Sequence, residues 1–218
     1  MLTRTAALLL AAALTVAGCS SSDDGEPGGA GAPGRTASET PYLPVPSGVE
    51  LTPPGSQLSL GDHAVVAYEP RQDQVGALDV DVTRLERTTI DDFSAWQLSD
   101  DQKKSTPYYV HARIENVGRS DLGGRPVPLY VVNDQNVLLE STPFASSFDP
   151  CPSTPFPDRF RPGDSARVCL VYLAPNHGDL VSVSFRPVET FNPITWTGEI
   201  EKYQPPKKSK DSKKPEKQ

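Results

Sequence analysis

Between residues 63 and 203 apolar and polar side chains alternate through segment after segment, and each segment stops at a proline, a glycine or an Asn/Asp cluster. A period of two puts successive side chains on opposite faces, so such segments bury their apolar residues as sheets. Leu78, Val80 and Val82 fall on one face, Asp79, Asp81 and Thr83 on the other. Further on, Val110, Ala112 and Ile114 point inward, while Tyr109, His111, Arg113 and Glu115 point outward. Residues 127–141 read as a hairpin turned by Asn133, Asp134, Gln135 and Asn136. The remaining strands are 63–70, a run after the Pro162-Gly163-Asp164 turn, 179–187 with Val181, Val183 and Phe185 inward, and 194–203 with Trp196. Counting both hairpin arms, these eight candidate strands predict an all-β chain folded as an antiparallel β-sandwich over residues 60–203. Only Ile90–Gln102 reads as helical, one or two turns that cross between sheets.

The flanks differ in composition. Residues 19–59 are dominated by Gly, Pro, Ser and Thr with few apolar side chains and no period, which predicts a tether. As a flexible coil of roughly 40 residues it would reach about 35 Å. Its Pro41–Gly48 stretch reads as a stiff spacer, with a polyproline-type ligand as the competing reading. From residue 204 a lysine-rich tail begins, and Pro205–Gln218 carries a net charge of +4. Residues 51–204 hold 13 basic against 21 acidic side chains, a net of −8. Such a tail either contacts anionic lipid or wall polymer, or is simply solvated. An acidic domain with no aromatics among the tail lysines argues against nucleic acid as a partner.

The start of the chain predicts an address. Arg4 precedes 13 apolar or small residues, Ala6–Gly18, too few to span a hydrocarbon core of about 30 Å. Residues 1–18 therefore read as a signal peptide of the lipoprotein type. Val16-Ala17-Gly18-Cys19 is similar to a bacterial lipobox, in which Cys19 receives a diacylglyceryl group and further acyl chains such as palmitate. That places the mature chain, held by its acyl chains, on the extracellular face of the cell membrane. Cysteine counting agrees: of three cysteines, lipidation uses Cys19 and leaves Cys151 and Cys169 for a disulfide in an oxidising compartment.

The sequence Y-x-V-x-x-x-x-x-N-x-G followed, after a hairpin, by a P-G turn and an apolar strand ending near proline is met here by Tyr108, Val110, Asn116, Gly118, Pro162, Gly163 and Pro175. With the lipobox and tether, this resembles the immunoglobulin-like domains of Gram-positive, actinobacterial-type lipoproteins, related in plan to the immunoprotective extracellular protein class. The resemblance implies an immunoglobulin-like sandwich and no catalytic residues, since members mostly lack an assigned activity. The proline-rich disulfide loop and the lysine tail depart from that plan.

Chemistry-bearing residues are few. His63, His111 and His177 are scattered and no G-x-S-x-G elbow occurs, so a hydrolase is not expected. Zinc lacks clustered ligands, and the single methionine, Met1, offers nothing to Cu(I). Asp79 and Asp81 are candidates for Ca2+, with Asp91, Asp92, Asp100 and Asp101 nearby in sequence, against a solvated acidic surface. No cofactor is expected. Tyr109, Tyr130 and Trp96 form a candidate binding face, which competes with the plainer role of seating a packed loop. The expectation is a non-enzymatic interaction module whose partner is an envelope protein or wall polymer. The alternatives are a carrier or sensor for a small ligand or Ca2+, and a structural wall-associated protein.

Overall fold

The computed structural model describes residues 41–206 apart from 145 and 147; the expected signal peptide, the expected lipobox with Cys19 and nearly all of the lysine tail lie outside them. The predicted alternation becomes ten strands: β1 (Gln57–Ser59), β2 (His63–Arg71), β3 (Gln74–Arg87), β4 (Thr106–Asn116), β5 (Tyr130–Asn133), β6 (Leu138–Leu139), β7 (Ser165–Ala174), β8 (Leu180–Phe185), β9 (Ile194–Thr197) and β10 (Ile200–Lys202). They form two sheets. One is ordered β10-β3-β4-β7, with β2 also paired to β3, and the other β1-β9-β8-β5-β6.

The sheets pack face to face as a β-sandwich. Between them lie Leu78 and Val80 of β3, Ile114 of β4, Tyr172 of β7, Val183 of β8 and Trp196 of β9, all inaccessible to solvent. The large aromatics bring polar groups in with them and satisfy them on backbone: Tyr172 donates to the Leu129 carbonyl at 2.7 Å, and Trp196 Nε1 to the Asp62 carbonyl at 3.0 Å. Register shifts interrupt strict alternation, and two of them displace residues whose facing the spacing predicts. Between Val82 and Arg84 one extra residue shifts the register, so Leu85 turns inward and Arg84 and Glu86 outward. A second shift, where Asn133 pairs with Leu180 and Val132 with Ser182, leaves Val181 outside and 54% exposed, not inward as its spacing predicts.

Four further expectations are corrected. The domain begins well before residue 60. Tyr42 accepts a hydrogen bond from the Ala67 amide at 2.8 Å and packs edge-on against Phe191 at 4.9 Å, Thr52 pairs with Val65, and β1 adds a strand to β9. A few anchors suffice to fix this segment, so its average composition resembles a tether. The sheets are not wholly antiparallel either, because β1–β9 and β10–β3 are parallel pairs. Ile90–Gln102, with short 3-10 turns at Ile90–Phe93 and Gln102–Lys104, joins two neighbours in one sheet and does not cross. The final segment crosses instead: β9 and β10, expected as one strand, belong to different sheets.

Asn116 and Gly118 have structural work that explains their place in the motif. Buried Asn116 donates through Nδ2 to the carbonyls of Ser120 at 2.8 Å and Phe160 at 2.7 Å, and its Oδ1 accepts from the Gly118 amide. A Cβ on Gly118 would lie 2.8 Å from the Ala77 amide nitrogen, so only glycine fits. Asn116→Ala is expected to cost about 1–3 kcal/mol by orphaning these partners, read from the shift in a urea denaturation midpoint.

Candidate functional site

The outer face of β3-β4-β7 carries the residues of interest in two halves. Over the upper half, Phe93, Trp96, Phe144 and Phe148 from two loops stack on Tyr109 and Val171. Tyr109 has the outward parity that its spacing predicts but is fully buried, because the loops cover it. Tyr203 closes it from the side at 5.0 Å, ring edge to face. The expected face of Tyr109, Tyr130 and Trp96 does not exist as one surface. Trp96 is half-buried in this cluster, and Tyr130 lies on β5 in the other sheet, facing away from the core. The plainer reading, aromatics seating a loop, describes Tyr109 and Trp96.

Cys151 and Cys169 are disulfide-bonded, with Cα atoms 5.1 Å apart, and tie the same proline-rich loop to β7. The Ser153 amide adds a bond to the Cys169 carbonyl at 2.9 Å, and the Val171 amide donates to Ser153 Oγ at 3.0 Å. The bridge spans 18 residues. Changing both cysteines to serine is expected to lower stability by about 3 kcal/mol, and denaturation of the double variant against wild type measures it.

The lower half is open and charged. Register places Arg84 beside His111, His111 beside Cys169, and Arg113 directly opposite Arg167. His111 donates through Nε2 to Glu86 Oε2 at 2.7 Å, and Arg84 Nη2 lies 3.4 Å from the same oxygen. Glu86 is itself almost fully buried. Arg113 and Arg167 are exposed, and neither has an ion pair among the described residues. Together with Thr83 and Val168, these four basic side chains line a recess of about 370 Å3. A larger recess of about 450 Å3, at the end of β10, mixes Arg87 and Lys202 with Asp92 and Glu201 and so has no single charge preference.

The two strand histidines titrate in opposite directions. Burial of His111 pushes its pKa below 6.5, with the Glu86 bond opposing and Arg84 reinforcing the shift. The exposed His63 is held above 6.5, chiefly by its hydrogen bond to Asp79 at 2.9 Å. A lowered folded pKa means the unfolded state binds the extra proton more readily, so the His111 contribution weakens as pH falls from 6.5 toward its folded value. The His63 contribution is present below 6.5 and fades as pH rises through its raised pKa. NMR titration of the imidazoles is expected to find His111 below His63; the reverse order would contradict this placement.

Asp79 and Asp81 do not gather a third ligand. Asp79 is engaged by His63, Asp81 is buried, and no group of three His, Cys, Asp or Glu suited to a metal occurs among the described residues. Asp100 and Asp101 pair with Lys103 and Lys104, and Asp92 accepts from Thr88. The sequence reading missed Arg84 and Arg167. They stand 27 and 56 residues from His111 in the chain, and only strand register brings Arg84 opposite His111 and Arg167 opposite Arg113, although Arg113 itself was visible as an outward neighbour of His111.

No family model and no curated protein matches the chain. Among solved structures, one described as a lipoprotein from Staphylococcus aureus subsp. aureus NCTC 8325 is similar over 66% of this chain and 100% of its own, at 10% identity and a TM-score of 0.41.

Proposed function

We propose that the chain is a lipoprotein held on the outer face of a bacterial membrane by acyl groups on Cys19, and that its immunoglobulin-like sandwich is a non-enzymatic interaction module. The observation that carries this reading is Cys19 at the end of a short apolar run and after Val16-Ala17-Gly18. Pairing of Cys151 with Cys169 supports it twice over, by accounting for the other two thiols and by implying an oxidising compartment. Among the described residues no helix is long and apolar enough to cross a membrane, so acyl chains supply the attachment in this reading.

Fractionation of cells carrying wild-type or Cys19→Ala protein tests it. Wild type should sediment with membranes and be released by detergent, whereas Cys19→Ala should be soluble; equal partitioning of the two would overturn the anchor. Crosslinking on the same cells tests the module. One dominant adduct that requires Cys19 names a membrane-proximal partner, and the absence of any specific adduct contradicts a protein-binding role.

A further inference from the structure

We infer that Arg84, Arg113 and Arg167 form a binding site for a phosphate group. The inference goes beyond the anchoring reading and does not depend on it. Arg113 and Arg167 are direct cross-strand partners on β4 and β7, both exposed. Like charges directly opposite one another on a sheet destabilise it, so the pair works against the fold that holds it. The surrounding carboxylates do not relieve it. Glu86 is taken up by His111 and Arg84. Asp81, the neighbour of Arg113 on β3, makes no ion pair with it within the described structure, and in the next row Glu115 lies between Asp79 and Ser165.

The result is a cationic recess of about 370 Å3 on a domain whose residues 51–204 carry a net charge of −8. Long-range attraction does not favour an anion here, so recognition falls to short-range donors. The three arginines come from neighbouring strands and line one recess: Arg113 and Arg167 offer planar forks with no ion pair among the described residues, and Arg84, held by Glu86, adds its remaining N–H groups. A carboxylate has two oxygens, which a single arginine fork already satisfies, whereas a phosphate presents three or four and can accept from several forks at once. Thr83 and His111 also line the recess and add polar groups beside the arginines. A free phosphate or small phosphate ester and an anionic lipid headgroup share this chemistry.

The test uses the full-length Cys19→Ala protein in a phosphate-free buffer, titrated with inorganic phosphate by calorimetry, with chloride at matched ionic strength as the reference. A second arm measures sedimentation with phosphatidylglycerol vesicles against phosphatidylcholine vesicles. Saturable binding that R113Q/R167Q weakens about tenfold or more, and that R119Q/R161Q, at two exposed arginines that do not line the recess, retains, supports the site. Binding of phosphate assigns a soluble source, and binding of phosphatidylglycerol vesicles alone assigns a headgroup. Without ligand, R113Q/R167Q should melt no lower than wild type, because the like-charged pair is gone; this separates loss of the site from loss of fold. Phosphate and vesicles no better than their references, or equal binding by R113Q/R167Q, would overturn the inference. Failure here leaves the Cys19 anchor standing, since that is read from fractionation.

Discussion

Tyr109→Ala is expected to destabilise the domain by about 3–5 kcal/mol, the range for truncating a buried large aromatic, and not to leave a folded protein that has merely lost a partner. The ring is inaccessible to solvent and lies 5.9 Å from Phe148, 5.0 Å from Tyr203 and 6.3 Å from Phe93. Its removal opens a cavity beneath the loop that the disulfide fastens, so the loop loses its seat along with the contact. Chemical denaturation of the variant reads the effect as a lowered midpoint at unchanged slope. Tyr130→Ala, on the other sheet and partly exposed, should move the midpoint far less. Equal small effects at both positions would show that the two loops do not pack on β4 as described.

Trp196→Ala should cost about as much, ~3–5 kcal/mol, for a different reason. Trp196 fills the centre of the sandwich from β9, and its indole donates to the Asp62 carbonyl, in the turn that leads from β1 into β2. The substitution empties the space between the sheets and orphans that carbonyl. For a domain of this length the loss corresponds to a melting temperature lower by roughly 10 °C, followed by far-ultraviolet circular dichroism. A melt within a degree or two of wild type would contradict the assignment of Trp196 to the shared core.

Much of this architecture was legible because alternation is local. The inward faces of Leu78, Val80 and Val82 and of Val110, Ala112 and Ile114 follow from a period of two, and the Asn133–Asn136 turn from its residue types. Bulges were not legible, since an extra Thr83 changes no residue type yet reverses the parity after it, and a bulge at Val181 turns that one residue out while Val183 and Phe185 stay inward. Tyr109 shows the deeper difficulty. Its parity was read correctly, but whether an outer face meets water depends on loops distant in the chain, here carrying Phe93 and Phe148. Segment 41–59 was misread because a handful of anchors, Tyr42 and Thr52 among them, outweigh a polar average.

The disulfide could be read from counting alone, since the proposed lipobox would claim one cysteine of three. The arginine recess could not, because Arg84, Arg113 and Arg167 meet only once the register of β3, β4 and β7 is fixed. In the same way the parallel edge pairs β1–β9 and β10–β3 join segments far apart in the chain, and no local pattern announces them.

The central claim is the anchor, and the intact mass of the mature protein purified from its own cells in detergent tests it most directly. The expected result is a chain that starts at Cys19 and is heavier than its sequence by a diacylglyceryl group, with or without a further amide-linked acyl chain. A mature chain carrying an unmodified Cys19, or cleaved elsewhere, would contradict it.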